Sequence, residues 1–276
     1  MVIEPFLIHL SETLKAGESA LRFLYLATDS DSSAALISLV KKTVEGLAFE
    51  SSESFFIDPR VNDFYQRIES LFRFGAEVLF VDIEQKNIFT FMEQALKLSV
   101  RKDMAIVGLT SFPEENLKLM AETGFGVRTV TSYSSAIDSP ANRRFLESWT
   151  KTYPNSKPTA LAASGGYGSV KLAALALTKA KESSVTAFAQ AMNGLELEFP
   201  QGRVFMDAKS HVLTQPVFAV EFEEGGLLIK EFLGEISHSG VEDCHPMLVN
   251  PPKTKKTSNS INRMTETNSD REAAGN

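Results

Sequence analysis

Between residues 21 and 131 the chain alternates short apolar runs with longer stretches whose apolar residues recur every three or four positions. The runs at 21–27, 54–57, 77–83, 104–109 and 126–131 predict strands, and the periodic stretches at 34–46, 63–74, 88–98 and 114–122 predict helices between them. A further helix is expected at 7–18, where Leu7, Leu10 and Leu14 share a face. Strands that alternate with single helices imply a parallel sheet covered on both faces, the α/β class. Ligands of such sheets bind beyond the carboxyl ends of the strands. Here those ends are the polar segments 28–33, 82–87, 110–115 and 131–135.

The pattern then changes. Helices are expected at 138–153, 160–181 and 185–192, with no further set of strands for them to cover. The stretch from Tyr167 to Ala180 is apolar around most of its circumference, so burial on more than one side is expected. Either these helices lean on the single sheet in one compact domain, or another layer sits against them. Strands return at 202–207, 215–222 and 227–232, the last two joined through Glu223-Glu224-Gly225-Gly226, a hairpin signal. From residue 237 onward, Ser, Thr, Asn, Lys and Pro without periodicity predict a disordered tail.

A composition of 43% hydrophobic and 23% charged residues is that of a soluble globular chain able to bury a sizeable core. The net charge of −7 argues against nucleic acid, which demands clustered Lys and Arg. The short basic run Lys253-Thr254-Lys255-Lys256 reads as a solvated stretch of the tail. The single cysteine, Cys244, excludes an internal disulfide and leaves the redox compartment open. No run approaches the roughly 20 apolar residues of a membrane-spanning helix. The first ten residues lack a basic start and carry Glu4 and His9 inside an apolar stretch, a poor signal peptide. A cytoplasmic location is expected of the chain as written, and a periplasmic one if it is a fragment of a longer exported protein.

Catalytic motifs are not apparent. Ser164-Gly-Gly-Tyr-Gly-Ser169 precedes a helix but follows no clear strand and lacks Gly-x-Gly-x-x-Gly spacing, so close helix packing explains it better than a phosphate cradle. There is no Gly-x-Ser-x-Gly elbow, and His9, His211, His238 and His245 are scattered. His238, Asp243, Cys244 and His245 are metal-ligand types without a second cluster to complete a site. A non-enzyme without metal or cofactor is expected. Asp29 and Asp31 suit a helix N-cap, and Glu114 and Glu115 a first turn, as readily as they suit a ligand.

The stretch Ser132-Tyr-Ser-Ser-Ala-Ile-Asp-Ser-Pro-Ala-Asn-Arg-Arg-Phe145 resembles a junction of the type I periplasmic solute-binding proteins, in particular the branch that binds amides, urea and branched-chain amino acids. Its Asp138-x-Pro140 pair reads as an N-cap followed by a first-turn proline. The resemblance continues through Tyr153, residues 159–172 with Gly-Tyr-Gly-x-Val-Lys-Leu, Met192-Asn-Gly194, Phe199-Pro-Gln-Gly-Arg-Val204, Asp207, His211 and Gln215-Pro-Val217. Upstream it takes in Arg22-Phe-Leu-Tyr-Leu-Ala-Thr-Asp29 and Ala105-Ile-Val-Gly-Leu-Thr-Ser111, so that residues 5–236 are covered.

The resemblance implies a division into a lead-in helix (1–21), the family's second lobe (22–135), a helical segment returning from a largely missing first lobe (136–200), strands closing on the second lobe (201–236) and a tail (237–276). It implies non-catalytic binding of a small polar solute, for an ABC transporter or as a sensor that restrains a regulator. Ligand-binding residues implied at the strand ends and the junctions beside the cleft are Thr28, Asp29, Ser30, Asp82, Glu84, Thr110, Ser111, Tyr133 and Tyr167. The two tyrosines are otherwise core or hinge residues. Two departures from the family weaken inheritance of an amide ligand: no aromatic follows Ser30 within its loop, and Glu84 and Lys86 stand where relatives are rich in Gly and Asn. Expected partners are the solute, ABC-transporter membrane subunits or a regulator, and a second chain in a homo- or heterodimer. A protein–protein module docking through 160–181 is the competing reading, and a nucleotide-using α/β enzyme a more distant one.

Overall fold

Strands β1 (Leu21–Thr28) and β3 (Val78–Asp82) lie side by side and parallel, with Phe23 opposite Val78 and Ala27 opposite Asp82. Both are buried on both faces, which is why they read as unbroken apolar runs. The computed structural model describes residues 3–14, 20–100, 104–109, 126–223 and 226–237. The expected helix at 114–122, residues Glu224 and Gly225 of the hairpin signal, and everything from His238 onward lie outside them.

In chain order the elements are α1 (Ile3–Thr13), β1, α2 (Asp31–Val44), β2 (Phe49–Ile57), α3 (Tyr65–Phe72), β3, α4 (Gln85–Lys97), β4 (Ala105–Gly108) and β5 (Arg128–Thr131). Then come α5 (Pro140–Thr152), a π-helical stretch at Leu161–Gly168, α6 (Ser169–Lys179), α7 (Val185–Met192), β6 (Glu196–Phe199), β7 (Gly202–Met206), β8 (Leu213–Glu223) and β9 (Gly226–Ile236). The sheet runs β2-β1-β3-β4-β5-β8-β7-β6, with β9 also paired to β8. Its first five strands are parallel, and β8 joins β5 antiparallel through Val130–Ala219. The fold is therefore α/β with a mixed edge.

The core divides as the sheet does. On one face Leu24, Leu26, Leu79 and Val81 pack against Ile68 and Leu71 of α3 and Ile88, Phe91 and Met92 of α4. On the other, Phe23, Tyr25 and Phe80 meet Phe6, Leu7 and Leu10 of α1 and Ile37 and Val40 of α2. Alternate residues of a strand point to opposite faces. Asp82, two residues beyond Phe80, is therefore carried to the face of α2.

Several boundaries differ from the expectation, each for a local reason. β2 begins at Phe49, where Phe49 pairs with Leu21. Its polar stretch escaped notice because an edge strand needs no continuous apolar run. β6 was not foreseen, although exposed Glu196 and Glu198 alternate with Leu197 and buried Phe199. The caps shift too. Ser30, not Asp29 or Asp31, caps α2 by accepting from the N–H of Ser33, and Ser139, not Asp138, caps α5 with Pro140 in the first turn. Asp138 instead pairs with Arg143.

The expected helix at 160–181 opens in π form. Gly168 is buried there, next to the Phe199 ring of β6. The Ser164 hydroxyl donates to the Ala160 carbonyl, competing with the regular helix ladder. Leu172 and Ala176 of α6 then pack with Leu195, Phe199, Val204 and Met206. The helices thus rest on the β6–β7 extension and not on the parallel sheet. Burial on more than one side is not met among the described residues: Leu161, Val170, Leu177 and Val185 are 65–72% exposed.

Candidate functional site

In the strand order β2-β1-β3-β4-β5 the chain runs outward from β1 in one direction and onward from β3 in the other. The loops after β1 and β3 therefore diverge, leaving a crevice at the carboxyl ends of these two strands where α/β sheets take ligands. Thr28 and Asp82 are the last residues of those strands.

Asp82 is held there by two hydroxyls. The Ser33 hydroxyl, in the first turn of α2, donates to Oδ2 at 2.9 Å, and the fully buried Tyr25 phenol reaches the same oxygen at 3.4 Å. The phenol's bond is long, so Ser33 is the firmer anchor. Thr28, itself buried, accepts the Glu84 N–H on Oγ1 at 2.9 Å and ties the start of the α4 loop to the end of β1. Ser30 stands 3.0 Å from the hydroxyls of both Ser32 and Ser33. Asp29 is exposed, its backbone N–H bonded to the Ile57 carbonyl at 2.7 Å. Glu84 is exposed and pairs with Lys86 at 2.6 Å. Just outside, at the end of β2, the Arg60 guanidinium holds the Asp58 carboxyl well below the usual carboxylate range.

The structure thus brings together Thr28, Asp29, Ser30, Asp82 and Glu84. Thr110 and Ser111 lie outside the described residues. Tyr133 is fully buried, its hydroxyl donating to Asn142 Oδ1 at 3.1 Å, and its ring packs edge-on to Phe145. It is placed as a core tyrosine. Tyr167 joins the same aromatic cluster, 4.8 Å from Phe145, with the Lys171 ammonium 4.9 Å from its ring centre. Neither belongs to the strand-end group.

Tyr25 and Ser33 were missed by the sequence reading. A hydroxyl inside an otherwise apolar buried strand must find a partner, and the lone Tyr in Leu-Arg-Phe-Leu-Tyr-Leu-Ala was that signal. Burial first, and then the Asp82 carboxylate, push the Tyr25 phenol above its ordinary value of 10.0. A raised pKa leaves stability unaffected below the unfolded-state value, and stability is lost as pH rises beyond that value. Tyr25→Phe is therefore expected to flatten the loss of stability above about pH 10, measured as denaturation midpoints between neutral and alkaline pH. Parallel curves for the two proteins would contradict this placement of the phenol.

Among the described residues no group of three or more His, Cys, Asp or Glu could hold a metal ion, and no helix is long and apolar enough to cross a membrane. The sequence matches the family described as periplasmic binding protein over residues 12–226. The chain belongs to the periplasmic binding protein family. A Leu/Ile/Val-binding protein homolog 6 of Brucella abortus (strain 2308) is 28% identical over 167 residues, 58% of this chain and 42% of the relative. The fold is similar to an amino acid ABC transporter substrate-binding protein from Pseudomonas fluorescens Pf-5, with a TM-score of 0.74, 16% identity and coverage of 86% of this chain and 64% of that one. It is also similar to a solute-binding protein of an ABC transporter from Rhodopseudomonas palustris BisB5, solved with 3,4-dihydroxybenzoic acid, with a TM-score of 0.73, 20% identity and coverage of 87% and 65%. The chain spans less than half the length of the Brucella relative it matches and about two thirds of these solved chains.

Proposed function

We propose that this chain binds a small polar solute of the amide, urea or amino acid type at the β1–β3 crevice, without catalysis, as the substrate-binding component of an ABC transporter. The observation that carries this reading is the placement of Asp82, braced by Ser33 and Tyr25, beside Thr28 at the point where the strand order reverses. A carboxylate held by hydroxyls accepts N–H donors well. Asp29 adds an acceptor on the rim, while Glu84 and the cation beside it, Lys86, are paired with each other. That balance favours a solute bearing an amide or ammonium nitrogen over one bearing only a carboxylate. Family membership supports the reading, as do relatives named for amino acid binding.

The test is a thermal melt across urea, short amides, branched-chain amino acids and hydroxybenzoates. A solute at about a hundredfold excess over its Kd adds roughly 2.7 kcal/mol, a rise of roughly 5–10 °C for a chain of this size. The expected result is a selective rise with one nitrogen-bearing class. A rise with the benzoates alone would contradict the assignment of solute class, and no rise with any solute would contradict solute binding by this chain.

A further inference from the structure

A hydroxyl has one proton to donate, whereas a carboxylate only accepts. That difference fixes the direction of the bonds around Asp82. The Ser33 proton goes to Asp82 Oδ2 at 2.9 Å, so at 3.0 Å Ser33 accepts the proton of Ser30. Ser30 then has none left for Ser32, 3.0 Å away, and accepts the Ser32 proton instead. The Tyr25 phenol also donates to Oδ2. Each of these hydroxyl protons runs inward to Asp82, so what the α2 side of the crevice has left to offer is acceptors.

Thr28 stands on the other side. Leu24 and Leu26 face α3 and α4, and Thr28 continues that alternation at the end of β1, while Asp82 follows Phe80 toward α2. The Thr28 oxygen accepts the Glu84 N–H at 2.9 Å, at the root of the α4 loop. Its own proton has no acceptor among the described residues, although the residue is only 6% exposed. Buried hydroxyls are rarely left so. The loops after β1 and β3 lead to helices on opposite faces of the sheet. One wall of the crevice between them therefore carries Asp82, and the other this unspent proton.

We propose that Thr28 is the hydrogen-bond donor of the crevice, giving its proton to an oxygen of the solute whose N–H groups lie on Asp82. This rests on the solute reading above and adds a requirement to it. Nitrogen and an acceptor oxygen must sit on one small molecule, as in a carboxamide or an amino acid. A simple amine or a simple carboxylate satisfies only one wall.

Isothermal titration of the full chain with two matched sets tests it: leucine, isoamylamine and isocaproate, and propionamide, propylamine and propionate. In one set the member with both groups is expected to bind the parent at least about tenfold more tightly than either truncated member. Thr28→Val should abolish that advantage over the amine, and Thr28→Ser, which keeps the hydroxyl, should retain it. A merely structural role for Thr28 would weaken every member of the set alike. If Thr28→Val perturbs folding, the matched sets on the parent still decide. An amine that binds as tightly as its bifunctional counterpart would overturn the proposal, as would a Thr28→Val variant that weakens both equally. Should Asp82→Asn still weaken that amine, the nitrogen reading stands and the role of Thr28 alone falls. Binding by no member of either set would contradict both.

Discussion

Replacing Phe80 with alanine is expected to destabilise the protein by about 3–5 kcal/mol, a large share of the roughly 5–15 kcal/mol that such folds possess. Phe80 is fully buried in β3, the third strand in from the β2 edge. Its ring stands 5.1 Å from that of Phe23 and 6.1 Å from that of Phe49, and α1 and α2 close over it. A void there is bounded by strands on one side and packed helices on the other, so it cannot collapse. The effect should reach the crevice, because Asp82 lies two residues further along the same face and its partner Ser33 rides on α2. Denaturant unfolding is the measurement. A midpoint lowered with unchanged slope is expected, and a loss below about 1 kcal/mol would mean that the ring is not packed as described.

The second large effect concerns Asp82, where two substitutions separate folding from binding. Asp82→Ala removes the acceptor of a buried phenol, at a cost of about 1–3 kcal/mol. The Ser33 hydroxyl loses its acceptor as well, since in its contact with Ser30 it accepts the Ser30 proton. Asp82→Asn retains an acceptor oxygen and so should cost less than about 1 kcal/mol in stability. It nevertheless removes the negative charge that the proposed site offers to a nitrogen-bearing solute, and affinity should fall by at least about tenfold. Equal loss of stability in the two variants would show that Asp82 has a structural role alone.

Much of this was legible in the residues themselves. The apolar runs at Leu21 and Val78 showed that β1 and β3 are buried on both sides, and this in turn placed helices on both faces and polar strand ends at a common rim. Thr28, Asp29, Ser30, Asp82 and Glu84 were accessible because carboxyl ends of parallel strands follow from the alternation of elements. Tyr25 was not, because its apolar neighbours made it look like one more core residue. Its significance lies in parallel register, which sets Tyr25 beside Phe80 and so one alternation from Asp82. Sequence spacing across 57 residues does not reveal that register. Strand order was equally hidden, yet it is what singles out the β1–β3 ends from the other polar loops. Tyr133 misled for the opposite reason: a tyrosine at a chain crossing looks available to a ligand until Asn142, nine residues on, folds back to accept its hydroxyl.

Isothermal titration of the nitrogen-bearing solute that raises the melting point most, into the parent protein and into Asp82→Asn, bears most directly on whether the β1–β3 crevice is the solute site. Saturable binding to the parent, weakened at least about tenfold in the variant while both unfold at similar midpoints, is the expected result. Equal affinity in the two proteins would place the solute elsewhere and contradict the assignment of Asp82.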